Sequence, residues 1–169
     1  MRNIAIYKAT LDNEEIDQLK SVLQAKDDLS KVLEFEEKMV KYIGAKYAIA
    51  TATSTAALHL ALSSMRLKRG DKVLMSVNSF VNLPETVRHF DAEPIFVDIN
   101  LEDMNLDIEK FEEAIIANKS KKLRAAIITF IGGLAPNLDK IYEIAKKHNI
   151  LIIEDCRAAL GTTYKGKKV

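Results

Sequence analysis

The chain has 169 residues, 48% hydrophobic and 29% charged, about one domain's length with enough apolar side chain for one substantial core. Acids and bases are interspersed and nearly balanced at a net charge of +1, so the electrostatic footprint of a nucleic-acid or anionic-membrane binder is absent. A single Cys rules out an internal disulfide, no stretch approaches the ~20 apolar residues of a membrane span, and residues 1–8 turn charged too early for a signal peptide; a cytoplasmic protein is expected.

No repeat, low-complexity tract or Pro/Gly/Ser linker marks an internal domain boundary. Residues 12–25 read as a polar amphipathic helix. A second helix starts near Ser30, carries Val32, Leu33, Phe35, Met39, Val40 and Ile43 at helical spacing, and stops at Gly44. The period then changes. A short strand is predicted over 47–51, a helix over 55–65, a strand over 72–77 after the Gly70-Asp71 turn, and a helix over 84–90. Next come a strand over 94–99, a helix over 108–116, a strand over 125–130, a helix over 138–148 and a strand over 150–154. Residues 164–169 read as the start of a hairpin. Strands alternating with helices of crossover length imply parallel pairing with helices on both faces, an α/β fold.

In such sheets ligands bind beyond the carboxyl ends of the strands. Four segments there carry suggestive chemistry and are expected to converge on one crevice: 51–55, Asn78-Ser79-Phe80, Ile131-Gly132-Gly133 and 155–158. Ser54 and Thr55 open a helix whose free amides and positive dipole end favour a phosphate, although ordinary N-capping uses the same residues. Phe80 offers a ring face for stacking or for core packing. Gly132-Gly133 permits close approach to a ligand or makes a plain turn. Asp155 can pair with a protonated ring nitrogen or cap a following helix. The histidines read as helix residues: His59 within an apolar helix, His89 and His148 at polar helix ends. No His/Cys/carboxylate spacing suggests a metal site, Cys156 reads as an inert thiol, and Lys165, Lys167 and Lys168 form a solvated basic turn.

The order of motifs resembles the N-terminal part of the DegT-type (StrS-like) sugar aminotransferases. The likeness runs through Leu33-Glu34-Phe35-Glu36, Tyr42-Ile43-Gly44-Ala45-Lys46-Tyr47-Ala48 and Ser54-Thr55-Ala56-Ala57-Leu58-His59-Leu60-Ala61-Leu62. It continues through Gly70-Asp71-Lys72-Val73, Asn78-Ser79-Phe80-Val81, Pro94-Ile95-Phe96-Val97-Asp98-Ile99 and Ile153-Glu154-Asp155. Leu160-Gly161 with Lys165-Gly166-Lys167 closes it, so nearly the whole chain takes part. The resemblance implies a three-layer sandwich with a mostly parallel sheet, the large domain of fold type I pyridoxal phosphate transferases. It implies an enzyme that aminates a keto group on a nucleotide-linked sugar for polysaccharide or glycoconjugate synthesis, with glutamate as amino donor, working as a homodimer. By position, Ser54 and Thr55 would hold the phosphate of pyridoxal 5′-phosphate, Phe80 would stack on its ring, Asp155 would pair with the ring nitrogen, and Ala158 would lie near the phenolic oxygen.

The sequence departs from the family pattern in places. The family has Gly at Ser54, Thr at Leu83, Gln or His at Ala158, and His and Asp at Phe130 and Asn137, which bears on cofactor tuning and on the substrate pocket. Its Schiff-base Lys lies well downstream of the Asp155 motif, and none of the terminal lysines matches it. Residues 1–169 are therefore expected to be an N-terminal segment plus most of the cofactor-binding domain, without the C-terminal small domain and without aminotransferase activity of their own. Two other readings stand beside this one: a sugar dehydratase of the same fold and cofactor, with His in place of the Lys, and a non-catalytic remnant serving as a binding or dimerisation module.

Overall fold

A computed structural model of the chain describes residue 9 and residues 11–25 and 30–169; the stretch 1–8, read above as too charged for a signal peptide, lies outside the described residues. The chain forms two compact units, Met1–Ala50 and Thr51–Val169, divided in a run without Pro or Gly.

Among its described residues the first unit holds two helices. Helix α1 (Asn13–Gln24) starts in a capping box, with the Asp12 carboxylate accepting from the Glu14 amide at 2.8 Å and Glu15 accepting from the Asp12 amide at 2.7 Å. Helix α2 (Ser30–Ile43) ends at Gly44, whose φ of +79° suits a glycine terminator. The strand predicted over 47–51 does not form. The Ala50 amide donates to the Glu36 carboxylate at 2.7 Å instead of to a neighbouring strand, and Tyr47 and Ile49, the apolar residues that suggested pairing, are exposed.

The second unit is a parallel sheet wrapped by helices. Its elements are α3 (Ser54–Ser64), β1 (Lys72–Ser76), α4 (Asn82–Arg88), β2 (Glu93–Val97), α5 (Ile108–Ala117), β3 (Leu123–Thr129), α6 (Leu138–His148) and β4 (Leu151–Asp155). The sheet order is β2-β1-β3-β4, parallel throughout. From β1 the chain steps outward to β2, then reverses across β1 to β3 and on to β4. Parallel crossovers are right-handed, so reversing the direction of travel moves the connecting helix to the opposite face. Accordingly α4 packs on one face and α5 and α6 on the other.

Side-chain alternation along the strands builds a core on each face. Leu74, Ala126 and Ile128 meet Phe111 and Ile115 of α5 and Ile141 and Ile144 of α6. Val73, Met75, Ala125 and Ile127 meet Leu58 and Leu62 of α3 and Leu83 and Val87 of α4. Pro94, which has no amide to donate, sits in β2 at the sheet edge. Beyond β4 a tight hairpin joins β5 (Thr163–Tyr164) to β6 (Lys167–Lys168), with Lys165 and Gly166 both at positive φ as such a two-residue turn requires. The Tyr164 hydroxyl donates to Asn137 at 3.3 Å and accepts from the Asp139 amide at 3.5 Å, fastening the hairpin to the start of α6.

Phe111 is fully buried between sheet and helix, so Phe111→Ala should lower unfolding free energy by about 3–5 kcal/mol, whereas Leu101→Ala at an exposed turn should change it by less than about 0.5 kcal/mol. Equal effects in urea unfolding would contradict the core assignment.

Candidate functional site

The reversal of travel at β1 opens the sheet's carboxyl edge between β1 and β3, the place where α/β sheets receive ligands. Two crevices lie there. One, of ≈ 330 Å³, is lined by residues of α3 including Ser54, by Asn82 and Leu83 of α4, and by 153–157. The other, of ≈ 550 Å³, is lined by Asn78, Ser79 and Phe80 after β1, by 129–132 at the end of β3, and by Asp155, Arg157 and Ala158 after β4. The segments expected to meet in a single crevice line two instead, and Asp155 and Arg157 belong to both. Of the residues singled out in the sequence, Ser54, Phe80, Asp155 and Ala158 line one or both. Thr55 is a lining residue of neither and is connected through Asn82.

At the start of α3 the cap is Thr53, whose hydroxyl accepts from the Ala56 amide at 3.1 Å. The hydroxyls of Ser54 and Thr55 are therefore not used for capping, and their amides, in the first helical turn, have no intrahelical acceptor. That arrangement suits an anion. The Thr55 hydroxyl accepts from the Asn82 side-chain amide at 2.9 Å.

No helix follows β4, so Asp155 caps nothing; residues 156–162 run through tight turns, with Ala159 donating back to the Cys156 carbonyl at 2.8 Å. The Asp155 Oδ2 atom is buried and has no hydrogen-bond donor aligned on it. Arg157 Nη2 lies 3.2 Å away, close enough for charge pairing but not aligned as a hydrogen bond. A buried carboxylate oxygen without a donor is costly, and a correctly directed cationic N–H would stabilise it. Phe80 is 61% exposed, which sets core packing aside and leaves its ring face available. The Arg157 guanidinium stands 4.9 Å from the centre of that ring, and its Nη1 donates to the Asn82 side-chain carbonyl at 2.9 Å. The chain Thr55–Asn82–Arg157–Asp155 thus links the start of α3 to the carboxylate at the end of β4.

The loop after β3 is held from behind. Asn105, fully buried, accepts from the Ile131 amide at 3.0 Å and donates to the Leu134 carbonyl at 3.2 Å. Gly133 has φ +80°, and a Cβ there would lie 3.2 Å from the Ala158 carbonyl, so this glycine serves close approach to the chain's own 158 loop. Asn82, Arg157 and Asn105 escaped the sequence reading because each has hydrogen-bond partners far away in the chain, Asn82 with Thr55 and Arg157, Asn105 with Ile131 and Leu134.

Cys156 beside the acid is no nucleophile. Burial first, then the neighbouring Glu154 and Asp155 charges, push its thiol up to about 12. Lys165 is exposed and its ammonium pairs with the Asp139 carboxylate; that hydrogen bond raises it above the ordinary lysine range and keeps it protonated at neutral pH. No lysine is among the residues that line either crevice. His59 lies against Phe90, ring centres 4.7 Å apart, as a helix residue outside the site.

Comparison with known proteins matches this architecture. The sequence profile of the DegT/DnrJ/EryC1/StrS aminotransferase family fits residues 9–169. The chain belongs to that family. It is 38% identical over 137 residues to the GDP-perosamine synthase of Caulobacter vibrioides, covering 81% of this chain and 36% of the synthase. The aminotransferase from Psychrobacter cryohalolentis superposes with a TM-score of 0.82 at 30% identity, over 95% of this chain and 40% of its own. A GDP-4-keto-6-deoxymannose-3-dehydratase, crystallised with a trapped pyridoxal phosphate–glutamate adduct, superposes with a TM-score of 0.86 at 25% identity, over 99% and 44%. The chain thus spans less than half the length of each of these proteins, and its fold is that of the large domain of fold type I transferases.

With the Cys156 thiol held near 12, its thiolate fraction at pH 8 is expected to be about 10²–10³-fold below that of an ordinary cysteine. Alkylation by iodoacetamide should be correspondingly slow and should accelerate until the pH passes the thiol's own value. A free-thiol rate at pH 8 would contradict the burial and charge environment described.

Proposed function

We propose that the carboxyl edge of this sheet binds pyridoxal 5′-phosphate and that the protein aminates a keto group on a nucleotide-linked sugar, with glutamate as amino donor, as a cytoplasmic homodimer. The observation that carries the reading is the buried Asp155 Oδ2, which has no aligned donor and lines the same crevice as the exposed ring of Phe80. The residues present fit the group. Asp155 would accept from the protonated ring nitrogen, Phe80 would cover a ring face, and the amides and hydroxyls of Ser54 and Thr55 would hold the phosphate. Ala158, which lines the larger crevice, would lie near the phenolic oxygen.

When bound, the cofactor supplies an electron sink for proton removal next to nitrogen. Asp155 would keep the ring nitrogen protonated, and Phe80 would fix the ring plane by stacking. Leu83 and Ile153 supply apolar wall to the smaller crevice, beside Ser54 and Asp155. The substrate class follows relatives named GDP-perosamine synthase and UDP-4-amino-4,6-dideoxy-N-acetyl-beta-L-altrosamine transaminase, the latter from Campylobacter jejuni and 35% identical over 94% of this chain. A sugar dehydratase is the second reading, favoured by the match to the GDP-4-keto-6-deoxymannose-3-dehydratase.

Residues 1–169 correspond on this reading to the N-terminal segment and most of the cofactor-binding domain, in keeping with the 36–44% coverage of the relatives. They bring no lysine to the crevice lining, so by themselves they should bind the cofactor without completing transamination.

In calorimetric titration the chain should bind pyridoxal 5′-phosphate, bind unphosphorylated pyridoxal more weakly, and lose about tenfold or more in affinity on Asp155→Ala, the worth of a charge-assisted hydrogen bond. Equal affinities across the three would overturn the proposal. Borohydride reduction of the chain with cofactor, glutamate and a keto-sugar nucleotide should leave no stoichiometric adduct on a single lysine; such an adduct with steady amino-sugar formation would contradict the division of labour.

A further inference from the structure

Arg157 holds a peculiar position. Its guanidinium is planar, delocalised and cationic, it lies over the face of Phe80 at 4.9 Å, and it sits 3.2 Å from the buried Asp155 Oδ2. A protonated pyridine ring in this site would seek the same three things: an aromatic face, a carboxylate, and the space between them. Arg157 also forms the wall shared by the two crevices and is tied to Asn82 at 2.9 Å.

We propose that Arg157 is a latch: it occupies the ring position in the ligand-free protein, and the cofactor loads by displacing its guanidinium from Phe80 and Asp155. The inference rests on the pyridoxal phosphate reading of the crevice. Physically, the latch solves the problem of a buried acid. Without a ligand, Asp155 would be left without a counter-charge, and Arg157 provides one. The pairing is close but misaligned for hydrogen bonding, so a ring N–H, which brings both charge and direction, can replace it. Displacement removes the part of the shared wall that Arg157 supplies and leaves Asp155 facing both crevices. The consequence is a toll on loading: each binding event must break the Arg157–Asn82 hydrogen bond, the stack and the ion pair, so affinity is set by competition between the chain's own cation and the incoming one.

The test uses 4′-deoxypyridoxine 5′-phosphate, a ring-and-phosphate probe without the reactive aldehyde, titrated into the 169-residue chain and followed by calorimetry and by the side-chain N–H signals of Arg157 in NMR spectra. In the free chain those signals should be displaced by the Phe80 ring current, and Phe80→Leu should remove the displacement. On saturation with the probe they should move to the position of a solvated arginine. Arg157→Met, which keeps the aliphatic stem and removes the competitor, should tighten probe binding by about fivefold or more. Should that variant fail to fold, Arg157→Gln, which retains a donor for Asp155, should tighten it in the same direction. Weaker binding by the folded variant, or Arg157 signals unmoved at saturation while the probe binds, would overturn the latch and leave the cofactor site standing. Absence of binding by both the wild-type chain and the variant would overturn the site itself, while binding by the variant alone would support the latch in its strongest form.

Discussion

The reversal of chain travel at β1 is the constraint on which the rest depends. Because parallel crossovers have one hand, stepping outward to β2 and then back over β1 to β3 obliges α4 to cover one face and α5 and α6 the other. The loops after β1 and β3 then diverge, and the sheet's carboxyl edge is left open between them. Into that opening α3 points its first turn and β4 delivers Asp155. Had the strands been laid down in one direction only, these segments would have been covered by a helix. The opposite edge shows the contrast: there Asp71 is buried with Arg124 at 3.3 Å and Lys122 at 3.5 Å, and its carboxylate accepts from the Lys68 amide, a closed arrangement with no orphaned atom.

Charge at the open edge is handled differently. Asp155 has charge compensation from Arg157 without a matching hydrogen bond, and the guanidinium is shared among Asn82, Asp155 and Phe80. The site is therefore held in a state that a better-directed cation could improve, while its scaffold is rigidly satisfied: Asn105 fixes the loop after β3, Gly133 lets that loop meet the 158 turn, and the Thr162 hydroxyl donates to the Gly133 carbonyl at 2.5 Å. A fixed frame around one exchangeable contact is the division of labour expected of a binding site placed on an α/β sheet.

Much of this was legible in the sequence. The strands of the sheet are apolar runs of five to seven residues between turn signals, and the helices carry apolar faces, so each core element was found within a few residues of its place. Ser54, Phe80 and Asp155 stood out because they open a helix or lie at or just past a strand end, and Ala158 through the family resemblance; all four line the crevices at the sheet's carboxyl edge. The strand expected over 47–51 failed because period and composition cannot reveal a side chain that takes the backbone donor, as Glu36 takes that of Ala50. Asn82 and Arg157 were missed for a related reason: they bond each other across 75 positions in the chain, and only the fold brings them together. Arg157 could have been noticed as a large cation between Cys156 and Ala158 in a stretch otherwise made of small residues.

The central claim is that the start of α3 and the carboxyl ends of β1 and β4 act as one site. It is tested most directly by mapping backbone amide shifts of the chain on addition of pyridoxal 5′-phosphate. The account predicts coincident changes, with one affinity, at Ser54 and Thr55, at Phe80, and at Asp155 and Ala158, three stretches far apart in sequence. Changes at only one of these stretches, with the others silent at saturation, would contradict it.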